Sequence, residues 1–229
     1  MRRLLPALAV LAVAAAGCGS SKSSSTAAIP SGAGKPQTSV AVPAAKGCKA
    51  VASAPKPRKP GKQKKPTTAL DTSKTWTLDF KTSCGSFTVR LNLKRGPHAS
   101  ASMVALARAG YFRNTIFHRI VPDFVIQGGD PTASGSGGPG YSTVDKPPAT
   151  TRYTKGVVAM AKTSTEAPGT AGSQFYVVTG ADAGLPPDYA VLGKVTKGMQ
   201  TVERIGALGD ANEKPTQTIV LYDVAAARR

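Results

Sequence analysis

The 229-residue sequence predicts a mainly β fold, a closed antiparallel barrel capped by two helices, and three observations carry that expectation. Two runs of alternating apolar and polar residues flank a tight turn. Five further short strand-like runs follow, separated by turn residues. Only two stretches read as helices. All of this patterning lies C-terminal to residue 70.

The first run places Trp76, Leu78 and Phe80 against Thr77, Asp79 and Lys81. After the turn Ser83-Cys84-Gly85-Ser86, Phe87, Val89, Leu91 and Leu93 alternate with Thr88, Arg90 and Asn92. A period of two on both sides of a tight connection is a hairpin with one face on a core. Pro97 opens a helix whose stripe is Met103, Leu106 and Ala107, with Gly110 as its stop. Strands are expected around 115–128, 156–161, 174–179 and 190–195. A short helix near 198–206 and a last strand from Thr218 to Val224 complete the pattern.

Charge is unevenly distributed. Residues 1–70 hold twelve of the thirty Lys/Arg and none of the twelve Asp/Glu, so they carry +12 of the net +18. A uniformly basic nucleic-acid binder is the wrong picture, and no nucleic-acid partner is expected. Arg2 and Arg3, the apolar stretch Leu4 to Ala16, and small residues before Cys18 read as an export signal over 1–17. The stretch falls short of the about 20 apolar residues a bilayer span needs. Ala15-Ala16-Gly17-Cys18 resembles a bacterial lipoprotein lipobox, with Ala15 where Leu is usual. That reading makes Cys18 the lipidated first residue of the mature protein and anchors it outside the cell membrane. The alternative is a plain secretory signal with an incidental cysteine, giving a secreted or periplasmic protein.

Residues 18–70 are rich in Ser, Ala, Pro, Lys and Gly, a composition that buries too little to offset ordering entropy. They are expected to be a disordered basic tether ahead of a domain over 71–229. With Cys18 assigned to lipid, Cys48 and Cys84 are left, and an oxidising compartment permits either a bridge or two separate thiols. No cysteine or histidine spacing suits a metal. Nothing demands more than a monomer.

The most informative segment is Phe117-His118-Arg119-Ile120-Val121-Pro122-Asp123-Phe124-Val125-Ile126-Gln127-Gly128-Gly129-Asp130. It offers a guanidinium, an aromatic ring and an amide in one strand-forming run, with no nucleophile or cofactor. Strand alternation points His118 away from Arg119. Residues 135–140, rich in glycine, superficially suggest a phosphate loop. No Lys-Ser/Thr follows, and the segment reads as a flexible connection.

This segment resembles the signature of the cyclophilin peptidyl-prolyl isomerases. Gly156-Val157-Val158-Ala159-Met160-Ala161, Gly172-Ser173-Gln174-Phe175-Tyr176-Val177 and Tyr189-Ala190-Val191-Leu192-Gly193-Lys194-Val195 are similar to further pieces of that family, in family order. The resemblance runs from about residue 74 to 224 and implies an eight-stranded barrel. It implies Arg119 as the catalytic guanidinium, with Phe124, Val125, Tyr176 and Leu185 around the proline ring. Val125 stands where the family usually has Met. Gln127 and Gln174 would bind substrate backbone. Ala161, Lys162 and Thr163 fall where Ala-Asn-Ala is common, Tyr189 where many members have His, and Gly184 where many eukaryotic members have Trp.

The implied reaction is cis-trans rotation about X–Pro bonds of exported polypeptides, with no cofactor. The runner-up is a proline-peptide binding module or holdase with weak turnover, kept open by the departures at Val125, Lys162, Gly184 and Tyr189.

Overall fold

The computed structural model describes residues 44–59 and 62–229. The expected signal peptide, Cys18 and the tether as far as residue 43 lie outside the described residues.

Strands β1 (Trp76–Thr82) and β2 (Gly85–Leu91) form the first hairpin. Phe80 lies opposite Phe87 in the ladder, and the two rings stack 4.6 Å apart inside the core. Helix α1 (Pro97–Arg108) starts with proline, whose missing N–H costs nothing in the first turn. Its free N–H groups at His98 and Ala99 donate to the carboxylate of Asp145 at 3.3 and 2.7 Å. Asp145 thus caps the helix from 46 residues away in sequence.

The run over 115–128 is not one strand. It divides into β3 (Thr115–Ile116), β4 (Arg119–Val121) and β5 (Val125–Gly128). Pro122 and Asp123 make the turn, and Asp123 takes a left-handed conformation at φ 54. The chain continues through β6 (Thr143–Val144), β7 (Val157–Met160), β8 (Thr170–Ala171), β9 (Phe175–Val178), β10 (Val191–Lys197), α2 (Met199–Gly206) and β11 (Val220–Arg228).

The sheet corrects the expectation of a closed eight-stranded barrel. It is a curled half-barrel of nine strands in the order β3-β11-β1-β2-β10-β7-β9-β5-β4, with β6 and β8 forming a separate pair. The physical reason lies in the stretch 115–121. Its first part pairs with β11 at one end of the sheet, and its second pairs with β5 at the other. Phe117 and His118 step between the two ends, so continuity there is covalent and not a hydrogen-bonded ladder. The inner face holds the main core, including Phe80, Phe87, Phe117, Ile120, Ile126 and Phe175, all at most 2% exposed.

The expected disordered tether also needs correction over its described part. Cys48 and Cys84 are joined by a disulfide with S–S 2.06 Å. Arg58 N donates to Pro131 O at 2.8 Å, and Gln63 N to Pro139 O at 2.7 Å. The Arg58 guanidinium reaches Tyr111 O at 2.6 Å. Composition correctly foretells that this strap has almost no core of its own; only Cys48 and Leu70 pack against the main core. Backbone hydrogen bonds and a covalent link hold it along the domain, and neither requires apolar side chains.

Candidate active site

The β4–β5 hairpin brings the ends of the signature together. Arg119 lies opposite Gln127, Ile120 opposite Ile126 and Val121 opposite Val125. Ile120 and Ile126 enter the core, so Arg119 and Gln127 project from the outer face. The row continues across the sheet, with Gln127 opposite Tyr176 and Tyr176 opposite Ala159.

Along that row runs a chain of hydrogen bonds. Arg119 Nη1 donates to Gln127 Oε1 at 3.4 Å, and Gln127 Nε2 donates to Gln174 Oε1 at 3.1 Å. Gln174 Nε2 then donates to the carbonyls of Gly135 and Gly137 at 2.8 and 3.0 Å. At the other end Arg119 Nε donates to Glu213 Oε2 at 2.6 Å. That hydrogen bond is the first reason the Glu213 carboxyl stays below the usual range. The guanidinium is therefore held on two sides, and among the described residues its remaining donors have no partner.

One side of this chain is apolar. Val125, Tyr153, Ala159, Tyr176, Val178 and Val191 form a second cluster on the outer face of the sheet. Phe124, Ala161, Leu185 and Tyr189 pack against it while staying partly open to solvent. Tyr153, Tyr176 and Tyr189 meet edge to face or tilted, with centroids 5.6 to 6.3 Å apart. Tyr153 fixes the position of Tyr189: its hydroxyl donates to Tyr189 O at 2.7 Å and accepts from Tyr189 N at 2.9 Å. Burial pushes the Tyr153 phenol up to about 12 and the Tyr176 phenol higher still, so both stay neutral. Among the described residues the Tyr176 hydroxyl has no hydrogen-bond partner.

The other side is a polar groove between the glycine-rich segment 135–142 and residues 161–166, floored by Gln127 and Gln174. The glycine-rich segment was expected to be a flexible connection, but Asp130 ties it down. One carboxylate oxygen accepts from Thr132 N and Oγ1 at 2.7 Å; the other accepts from Gly135 N at 2.7 Å and Gly137 N at 3.2 Å. Burial raises the Asp130 pKa, but these hydrogen bonds outweigh it and hold the carboxyl ionised. A Cβ at Gly137 would overlap that carboxylate, which is why glycine stands there. Opposite, Lys162 Nζ donates to the carbonyls of Thr163 and Glu166 and lies 5.5 Å from the Tyr189 ring centroid. Glu166 in turn accepts from Thr163 N at 2.6 Å.

Comparison with known proteins bears on this arrangement. The family model for cyclophilin type peptidyl-prolyl cis-trans isomerase/CLD matches residues 77–226. The chain belongs to the cyclophilin family. It is 35% identical over 147 residues to a peptidyl-prolyl cis-trans isomerase of Arabidopsis thaliana, covering 62% of this chain and 88% of that one. It is 39% identical over 131 residues to peptidyl-prolyl cis-trans isomerase-like 1 of Aspergillus oryzae, covering 56% and 80%. A crystal structure of a Cryptosporidium parvum cyclophilin type peptidyl-prolyl cis-trans isomerase, determined in the presence of the dipeptide Ala-Pro, has a TM-score of 0.61 and 31% identity. It is covered over 98% of its length and covers 66% of this chain. These relatives are eukaryotic, and they offer no support for a bacterial lipoprotein form.

Within this cyclophilin the ten residues expected to bind substrate divide between two neighbouring regions. Gln127, Ala161, Lys162, Thr163 and Gln174 line the polar groove, while Phe124, Val125, Tyr176, Leu185 and Tyr189 form or border the apolar wall. Ala161 belongs to both, and Arg119 stands at the hairpin beside Gln127. His118 points into the interior at 8% exposure, and burial lowers its pKa, so it stays uncharged. Sequence reasoning missed Glu213, Asp130 and Tyr153. For Asp130 a local signal existed, since Thr132 and Ser134 follow an acid at the end of a strand as in an Asx turn. Glu213 and Tyr153 act across 94 and 36 positions, and no local pattern marks them.

Proposed function

We propose that Arg119 is the catalytic group of this cyclophilin and that its substrates are X–Pro bonds in exported polypeptides, whose folding it assists. Rotation about a peptide bond faces a barrier of about 18–20 kcal/mol because the C–N bond has double-bond character. In the twisted state the prolyl nitrogen becomes pyramidal and gains a lone pair. A fixed guanidinium stabilises that lone pair better than the planar amide, which is what accelerates rotation. The observation that carries this reading is the Arg119–Gln127–Gln174 chain lying beside the apolar wall of Phe124, Val125 and Tyr176. The wall takes the proline ring and Leu185 closes over it, while Gln127 and Gln174 hold the backbone on one side of the turning bond.

One charge-assisted hydrogen bond contributes about 1.5–3 kcal/mol, roughly ten- to a hundred-fold in rate. The remainder comes from the dry wall, which strengthens the field of Arg119. The test is isomerisation of an Ala-Pro peptide by the full chain against Arg119→Ala. Rates that are equally slow in the two would sink the enzymatic role and leave a proline-peptide binding module or holdase; equal, rapid rates would remove Arg119 from it.

The export setting rests on the leader and the sequence Ala15-Ala16-Gly17-Cys18. In this proposal lipidated Cys18 anchors a monomer on the outer side of the cell membrane. Cys18→Ala then moves the protein from the membrane to the soluble fraction; unchanged fractionation would rule out the anchor.

A further inference from the structure

A second groove lies away from Arg119, and its walls are cationic. It is lined by Lys74, Arg90, Lys94, Arg95, Arg152 and Lys194, and no acidic residue lines it. All six are exposed, and among the described residues only Arg152 has an acidic partner, Asp182. The cations come from separate places: the approach to β1, the end of β2 and the turn after it, the loop before β7, and the middle of β10. The fold therefore gathers them.

One pair shows a local electrostatic cost. Arg90 and Lys194 are direct partners across the β2–β10 ladder. Directly opposed side chains on neighbouring strands have Cβ atoms about 4.5–5.5 Å apart, and like charges so placed destabilise the pairing. On the other neighbouring strands Arg90 faces Thr77 and Lys194 faces Val157, so neither finds a carboxylate across the sheet. An anion lying between them removes the repulsion.

We infer that this groove docks an acidic segment of a polypeptide, giving the isomerase a second hold on clients rich in Asp and Glu. The choice of polypeptide rests on the isomerase reading; the choice of charge rests on the groove alone. Nucleic acid fits less well, because single-strand binding uses exposed aromatic platforms. The one aromatic residue here, Trp76, is 5% exposed and lies beneath the guanidinium groups of Arg108 and Arg228, 5.2 and 6.0 Å from its ring. A headgroup surface fits less well too, since the cations line a recess floored by Leu91, Val191 and Val157, which suits one extended chain.

The test uses the full chain and a proline-free peptide of alternating Glu and Gly, followed by fluorescence anisotropy. Binding is expected, weakening about tenfold or more as salt rises from about 50 to 300 mM. Arg90→Thr/Lys194→Thr should lose at least about tenfold of that affinity. The same variant should isomerise an uncharged Ala-Pro tetrapeptide at the wild-type rate, which separates failure of docking from failure of the isomerase reading. Lys94→Ser/Arg95→Ser, in the exposed turn, should give the same loss and stands in if the strand variant misfolds. Absence of peptide binding would overturn the inference. So would equal binding by both variants, which would place the peptide on the basic segment before residue 70. A single-stranded oligonucleotide or an anionic vesicle that binds through these residues when the peptide does not would overturn it as well.

Discussion

Glu213 grips the strand that carries Arg119 twice: its carboxylate accepts from Arg119 Nε at 2.6 Å, and its carbonyl accepts from Ile120 N at 3.0 Å. Glu213 itself sits at φ 62, a conformation that side chains other than glycine adopt at some cost. Its loop is closed by Asp210, which accepts from the backbone N–H groups of Asn212 and Lys214 at 2.8 Å. The guanidinium is thereby aimed along the outer face of the sheet before substrate arrives.

Replacing Glu213 by Ala should lower kcat by about three- to tenfold with little change in KM, since an exposed ion pair steers the guanidinium more than it stabilises the fold. Glu213→Gln keeps an acceptor for Nε and should recover most of the loss. The pH profile distinguishes charge from shape. The folded pKa of Glu213 is depressed, so the ion pair is present at neutral pH and lost as pH falls through that lowered value. Wild-type turnover should hold level through neutral and mildly acidic pH and fall only below the usual carboxylate range, whereas Glu213→Gln should lack that fall. Identical profiles for the two would remove Glu213 from the positioning role.

The buried Tyr176 hydroxyl has no partner among the described residues, so Tyr176→Phe should be neutral or stabilising by up to about 1 kcal/mol in urea unfolding. Isomerisation should be unchanged if the ring alone serves as wall. A fall in kcat/KM would show that substrate supplies the missing hydrogen bond.

Tyr153→Phe should behave in the opposite way. It strips both hydrogen bonds from the Tyr189 backbone and should cost about 1–3 kcal/mol. Tyr189 borders the apolar wall, so KM should rise more than kcat falls. An unaffected KM would mean that packing alone places Tyr189.

The bridge between Cys48 and Cys84 closes a loop with a sequence separation of 36. By loop entropy its reduction should lower unfolding free energy by about 4 kcal/mol. Hydrogen exchange should then quicken at Lys49, whose N–H donates to Ser83 O beside the bridge. Equal urea midpoints with and without reductant would contradict this.

Much of the fold was legible because its signals were local. Trp76, Leu78 and Phe80 against Phe87, Val89 and Leu91 declare a hairpin by period alone, and Pro97 with Gly110 brackets α1. Curvature and closure were not legible, since they depend on which strands the two ends of 115–121 meet. The two-residue strands β6 and β8 are too short to show a period. In the site, Arg119, Gln127 and Gln174 could be read from their motifs, but not their hydrogen-bonded order, which arises from the turn at Asp123. The glycine-rich segment was misread because its rigidity comes from Asp130 and Gln174, and composition reports only its own freedom.

The Cys48–Cys84 bond also has a mechanical consequence. It joins the strap to the β1–β2 turn ten or more residues before the strap touches Pro131 and Pro139 beside the groove. A pull applied to the chain ahead of Cys48 is transmitted to that turn and the core beneath it. The contacts at Arg58 and Gln63, and the candidate groove behind them, lie past that covalent link along the chain.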